Sequence, residues 1–276
     1  MSTGGPASTD GSERRTSRRT ILISIGAVLV LVAAAIVVVV TTRPASPAGG
    51  GILPSVSAGA DTSAAKLHGW GDPDRVDEFT GPLDSSWDVY DGPGHNGNGR
   101  RSPDAAKVED GVLTITGDTD GATGGLAWVP GQMYGRWEAR VRAPVGDPTY
   151  NALLLLWPDA EDWPVGGEVD FMELTDASRQ TAEYFIHYGE NNQQEKDEVA
   201  VDATQWHNWA VEWTPTAVVA YLDGVEWHRT TDLEKLPPRP MHLTIQLDWF
   251  PEGQAPASKE SSMQVDWVKQ YPLQGS

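Results

Sequence analysis

The chain has 276 residues, with 20 Lys and Arg against 39 Asp and Glu and a formal charge of -19, a balance that excludes a phosphate backbone as partner and mildly disfavours polyanionic substrates. Cysteine is absent, which removes disulfides, thiolate zinc sites and cysteine nucleophiles together. The 29 Gly, 20 Pro and 12 Trp, with few helix-like stretches, favour an all-β domain rich in turns.

Residues 1–20 are polar and rich in Ser, Thr and Gly, and read as a disordered cytoplasmic tail. From Ile21 to Val40 the chain is apolar or small without a charge, and at ~1.5 Å per residue it spans a ~30 Å hydrocarbon core. Arg14, Arg15, Arg18 and Arg19 precede it and only Arg43 follows. The positive-inside rule therefore predicts a membrane anchor at 21–42, a cytoplasmic N-terminus and everything else outside the cell. The competing reading is a cleaved signal, with Ala58-Gly59-Ala60 as a cut site and a secreted product. Residues 43–75, rich in Pro, Ala, Gly and Ser, read as a disordered linker.

The folded domain is expected at 76–273. Val112–Thr116 follows the turn Asp110-Gly111, and in Arg136–Val141 the residues Trp137, Ala139 and Val141 face one way and Arg136, Glu138 and Arg140 the other. Trp209, Val211 and Trp213 repeat that period of two, and Asp223-Gly224 signals a hairpin. Residues 152–157 and 241–247 are more continuously apolar, as in strands covered on both faces, and 265–271 close the domain. Many short antiparallel strands predict a concanavalin-like β-jelly-roll sandwich of two antiparallel sheets.

Two motifs carry little chemistry. Gly92-Pro93-Gly94-His95-Asn96-Gly97 fits G-x-G-x-x-G but no helix follows it, so it reads as a loop. Asp118-Thr119-Asp120-Gly121 opens like a calcium loop and lacks the remaining ligands. Neither a metalloprotease His pair nor a serine-hydrolase elbow is present.

The segment Trp163-Pro164-Val165-Gly166-Gly167-Glu168-Val169-Asp170-Phe171-Met172-Glu173-Leu174 is different. On a regular strand Glu168 and Asp170 share a face, whereas Glu173 points away. A β-bulge at Phe171-Met172 restores the parity and lines three carboxylates along one face. The two Glu backbones then lie ~13 Å apart, and long side chains leaning inward bring the carboxyls within ~5–5.5 Å, the separation of a retaining glycosidase. Such chemistry needs one carboxylate to attack the anomeric carbon and one protonated carboxyl to donate to the leaving oxygen. Asp170 between them raises its neighbours' proton affinity and is placed to orient the nucleophile.

Glu168-Val169-Asp170-Phe171-Met172-Glu173 resembles the bulged signature of glycoside hydrolase family 16, the laminarinase and lichenase-like β-glucanases. Asp77-Glu78-Phe79, Tyr134-Gly135-Arg136-Trp137-Glu138, Glu212-Trp213-Thr214-Pro215 and Val265-Asp266-Trp267-Val268 extend the likeness over residues 76–272. The resemblance implies a cleft on one face of a jelly roll, with Glu168 as nucleophile, Asp170 as its helper and Glu173 as acid/base. It also implies sugar contacts from Trp163 and His187, and from Trp157 and Trp249 by their proximity in the pattern. No cofactor is expected for catalysis. A structural calcium is implied in many relatives, here involving Glu78 and Asp266. The late segment Ile245-Gln246-Leu247-Asp248-Trp249-Phe250 departs from the family's Asn-rich and Gly-rich stretch, so subsites are expected to differ there. The expected activity is endo-hydrolysis of a β-1,3- or β-1,3-1,4-glucan by a monomer that binds no nucleic acid. The alternatives are transglycosylation on the same glucans and a non-catalytic carbohydrate-binding module.

Overall fold

Alternating apolar residues make each strand a two-faced element, and here two such sheets close over one core. The computed structural model describes residues 62–251 and 256–273. The expected tail, membrane segment and most of the linker lie outside the described residues. Among those described, no helix is long and apolar enough to cross a membrane.

One sheet runs, in spatial order, through Gln193–Ala200, Thr181–Tyr188, Glu168–Leu174, Tyr150–Pro158, Met241–Trp249, Gly125–Gln132 and Trp87–Val89. The opposing sheet runs through Val225–Thr230, Ala217–Leu222, His207–Thr214, Gly135–Arg142, Ser261–Tyr271, Val112–Gly117 and Ala106–Glu109, with Arg75–Asp77 added beside Ser261–Tyr271. Both sheets are antiparallel, so the expected jelly-roll sandwich is what forms. Trp137, Trp209 and Trp213 from one sheet meet Leu154, Phe171 and Ile245 from the other, all fully buried. Each such side chain contributes about 1.5–3 kcal/mol by leaving water, which fixes the register against a one-residue slip. Asp223 (φ 48) and Gly224 (φ 74) make the left-handed pair that the hairpin signal requires.

One expectation changes at the N-terminal edge. The linker expected through residue 75 ends earlier: Ser63 caps a short helix, Ala64–Leu67, which packs with Trp70 on the outer face of the second sheet against Ala210, Val219, Tyr221 and Tyr271. Glu138, on the face opposite Trp137, Ala139 and Val141 as its alternation implied, is fully buried beneath this strap, and its carboxylate accepts from the backbone N–H groups of Ala64 (2.5 Å) and Ala65 (3.3 Å). Composition hid the strap because Ala and Gly carry no periodic pattern. They suit it because small side chains let backbone amides approach a buried carboxylate.

Candidate active site

Glu168–Leu174 is paired on both sides, and its irregularity can be located on each. Toward Tyr150–Pro158, Leu155 opposes Asp170 and Leu154 opposes Met172, so two steps on one strand meet one step on its neighbour. Toward Thr181–Tyr188, Asp170 opposes Phe185 and Glu173 opposes Glu183, three steps against two. The bulge therefore lies at Phe171-Met172, where the acid spacing demands it. Phe171 and Met172 are both fully buried, consecutive residues directed into one core, and any regular register would expel one of them into the cleft. Hydrophobic burial thus turns Glu173 onto the face of Glu168 and Asp170.

The three carboxylates line a cleft of about 310 Å³ with His95, Asn96, Leu153, Trp163, Phe185, His187, Asn192, Gln194, Gln246, Asp248 and Phe250. Gly167, at φ 82, feeds the chain into the strand through a conformation open to glycine. Burial, reinforced by the charge of Asp170, pushes the Glu168 carboxyl well above its ordinary range, against His187 and a hydrogen bond from Trp163. Asp170 is likewise raised by burial and then by Glu173. Glu173 is raised by burial too, while the Asn151 amide donates to its Oε1 at 2.8 Å and pulls the other way. Three acids coupled in this way titrate as a unit, with burial opposing the ionisation of each.

His187 sits opposite Glu168 on the neighbouring strand, with Nε2 3.5 Å from Asp170 Oδ2. Trp163 is 41% exposed at the cleft wall, an open aromatic face beside the acids. Trp157 does not line the cleft. It stacks behind Trp163, ring centroids 6.5 Å apart and 9° from parallel, with its N–H donated to Glu161. Trp249, expected at the substrate, is a correction: it is 7% exposed, packs in the core and donates to Thr149. Strand parity is the reason, since Gln246 and Asp248 take the cleft face and Trp249 the other.

Several cleft residues went unrecognised in the sequence. Asp248 is fully buried at the cleft floor, where Arg101 donates two nitrogens to it (Nε 3.1 Å, Nη2 2.8 Å) and Gln246 a third at 2.9 Å. The loop carrying the glycine motif forms a turn at His95–Gly97, and the His95 ring meets Phe250 at 4.4 Å to wall one end of the cleft. Continuing the period of two past Leu247 was the available signal for Gln246 and Asp248. Arg101 and His95 had none, because a small separate sheet of Gly92–Pro93, Arg100–Arg101 and Ala122–Thr123 brings them in.

The expected calcium ligands are engaged elsewhere. Glu78 pairs with Lys269 at 3.2 Å and Asp266 with Arg140 at 2.6 Å, so a cation shared by the two acids would have to displace both partners. Among the described residues, Glu168, Asp170 and His187 form a group close enough to share an ion.

With this geometry in place, the family model described as Glycosyl hydrolases family 16 matches residues 96–269, from the cleft loop through the last strand. The chain belongs to glycosyl hydrolase family 16. Among relatives, the family 16 domain is 27% identical over 164 residues to the Beta-glucanase of Rhodothermus marinus, covering 50% of this chain and 57% of that protein. It is 26% identical over 172 residues to the Clotting factor G alpha subunit of Tachypleus tridentatus, covering 55% of this chain and 25% of that protein. The match thus spans a quarter to just over half the length of these two relatives. In fold it resembles the catalytic domain of an endo-1,3-beta-glucanase (laminarinase) from Thermotoga petrophila RKU-1, with TM-score 0.64 at 19% identity, covering 74% of this chain and 98% of that one. A Z. galactanivorans structure in complex with laminaritriose and laminaritetraose gives TM-score 0.63 at 18% identity, covering 71% of this chain and 97% of that one.

Proposed function

We propose that this family 16 domain is an endo-acting, retaining glycosidase that hydrolyses a β-1,3- or mixed-linked β-glucan. The observation that carries the reading is the bulge at Phe171-Met172, which aligns Glu168, Asp170 and Glu173 on one cleft face. Glu168 attacks the anomeric carbon while Glu173 gives its proton to the departing glycosidic oxygen, leaving a glycosyl ester on Glu168. Water then attacks the same carbon, Glu173 takes its proton, and the ester bond breaks to regenerate the Glu168 carboxylate. Asp170 shares a hydrogen bond with Glu168 and keeps the trio from carrying three charges. A neutral chain suits the cleft: Arg101, the guanidinium beside it, is committed to Asp248, and Trp163 offers an apolar face to a sugar ring.

Digestion of a panel of β-glucans, galactans and chitin-glucan with product sizing tests this reading. Internal cleavage of β-1,3 or mixed-linked glucan, abolished by Glu168→Ala, is expected. Equal inactivity of wild type and variant on every polymer would leave a binding module in its place. The reading places the domain outside a membrane, held by residues 21–42. A mature N-terminus near Asp61 would replace the anchor with a cleaved signal.

A further inference from the structure

Asp170 Oδ1 is buried without a hydrogen-bond partner, and Asp170 itself is 2% exposed. Its interactions run to Glu168 and, from Oδ2, toward His187 Nε2 at 3.5 Å. Whether those two sites compete for one Asp170 proton depends on which ring nitrogen of His187 carries hydrogen. On the far side of the ring, Nδ1 lies 2.7 Å from Asn192 Oδ1. An amide oxygen only accepts, so this contact requires hydrogen on Nδ1 and, in a neutral ring, leaves a lone pair on Nε2. Gln194 Nε2, a donor that favours the opposite tautomer, is farther from the same Nδ1, at 3.3 Å. Asn192 is held in the left-handed region at φ 50, a conformation Asn tolerates, in the turn after Gly189. The titratable groups described near the ring are Glu168, Asp170 and Glu173.

We propose that Asn192 is a positioning residue that fixes the Nδ1–H tautomer of His187, so that Nε2 serves as a second acceptor for the Asp170 hydroxyl. The proposal rests on Glu168 being the nucleophile. In the resting enzyme the Asp170 O–H points to the ionised Glu168, the stronger acceptor. Once Glu168 is esterified it loses its charge, and the same O–H turns to His187 Nε2. The proton stays on Asp170 throughout, so only a hydrogen bond is exchanged. When water releases the sugar, the O–H swings back to the reappearing carboxylate. Asn192 therefore acts on the second half of the reaction.

The test combines spectroscopy with kinetics on the whole protein. Nitrogen-15 NMR of labelled histidine in alkaline buffer, where an imidazole is neutral, reads the tautomer, and His187→Gln assigns the signal. Wild type is expected to show Nδ1–H. Asn192→Gly, which keeps the left-handed backbone but removes the acceptor, is expected to shift toward Nε2–H, whereas Asn192→Asp and Gln194→Ala retain Nδ1–H. On an aryl β-glucoside with a good leaving group, Asn192→Gly is expected to lower kcat and KM together by about tenfold, with kcat/KM within about twofold. Nε2–H in wild type, an unchanged tautomer in Asn192→Gly, or a loss confined to kcat/KM would each overturn the proposal. If no glucan is cleaved, the functional reading falls while the tautomer is still read.

Discussion

Asp170 lies below the cleft surface with burial and Glu173 both opposing its ionisation. Its carboxyl pKa is raised in the folded state, so its share of stability is complete below the unfolded value near ~3.9 and is lost as pH climbs through the folded value. Replacing it with the neutral isostere Asp170→Asn is expected to raise Tm at neutral pH, by about 2–4 °C for each kcal/mol recovered, and to give no gain below about pH 4. Activity should fall in the same variant, because Asn cannot hold the trio's proton. Glu173 is raised by burial in the same direction, which keeps it protonated for its proposed role as acid further toward neutrality. Activity is then lost on the alkaline side as Glu173 ionises. Glu173→Gln is expected to abolish that limb on aryl glycosides whose leaving groups need no proton, and azide should restore rate. A pH profile of kcat/KM on two leaving groups checks this. The identities of the three acids and their spacing were legible in the sequence. The burial that sets their proton affinities was not, since it depends on chain segments far away.

The carboxylate strand works because its bulge is held from the core side and at its end. Phe171 and Met172 press into the core, and Arg179, itself fully buried, donates to the backbone carbonyls of Leu174 (2.6 Å) and Tyr150 (2.9 Å). Burial lowers the guanidinium pKa to about 10, which still leaves it charged. Phe171→Ala is expected to cost about 3–5 kcal/mol by leaving a cavity, read as a fall in the urea midpoint. Deleting Phe171 altogether removes the extra residue and turns Glu173 toward the core. That variant should lose both activity and cooperative unfolding. At the edge of the same sheet, Glu195 binds Lys235 at 2.6 Å, Thr230 at 2.6 Å and His228 at 2.9 Å. Burial pushes Glu195 up, but these hydrogen bonds outweigh it and hold it at about 2. The stability it supplies is present above about 4.3 and fades as pH falls toward 2. Wild type and Glu195→Gln should differ in Tm at pH 6 and converge near pH 2. The alternation in Glu168–Leu174 announced a strand, and the five-residue spacing announced its irregularity. Arg179 gave no sign, because a buried arginine in a turn looks in sequence like a solvated one.

The strap at residues 62–70 packs on the outer face of the second sheet, where it covers Glu138 and Tyr221. Removing it strips two backbone donors from a buried carboxylate and uncovers the ring of Tyr221. A chain starting at residue 71 is therefore expected to melt lower than one starting at 62, and Glu138→Ala should narrow the difference. Chelators are expected to leave Tm unchanged, as Glu78 and Asp266 already have Lys269 and Arg140. Local order was determined by the amino-acid sequence alone: two-residue periodicity set the strands, Asp-Gly pairs set the hairpins, and the acid spacing demanded a bulge. Those signals reside in neighbouring residues, which is why they are readable without a fold. Asp248 clasped by Arg101 and His95 against Phe250 were decided by packing between segments about 150 residues apart. No local pattern encodes which distant backbone will arrive beside a given side chain, and the cleft beyond its three acids is built from such arrivals.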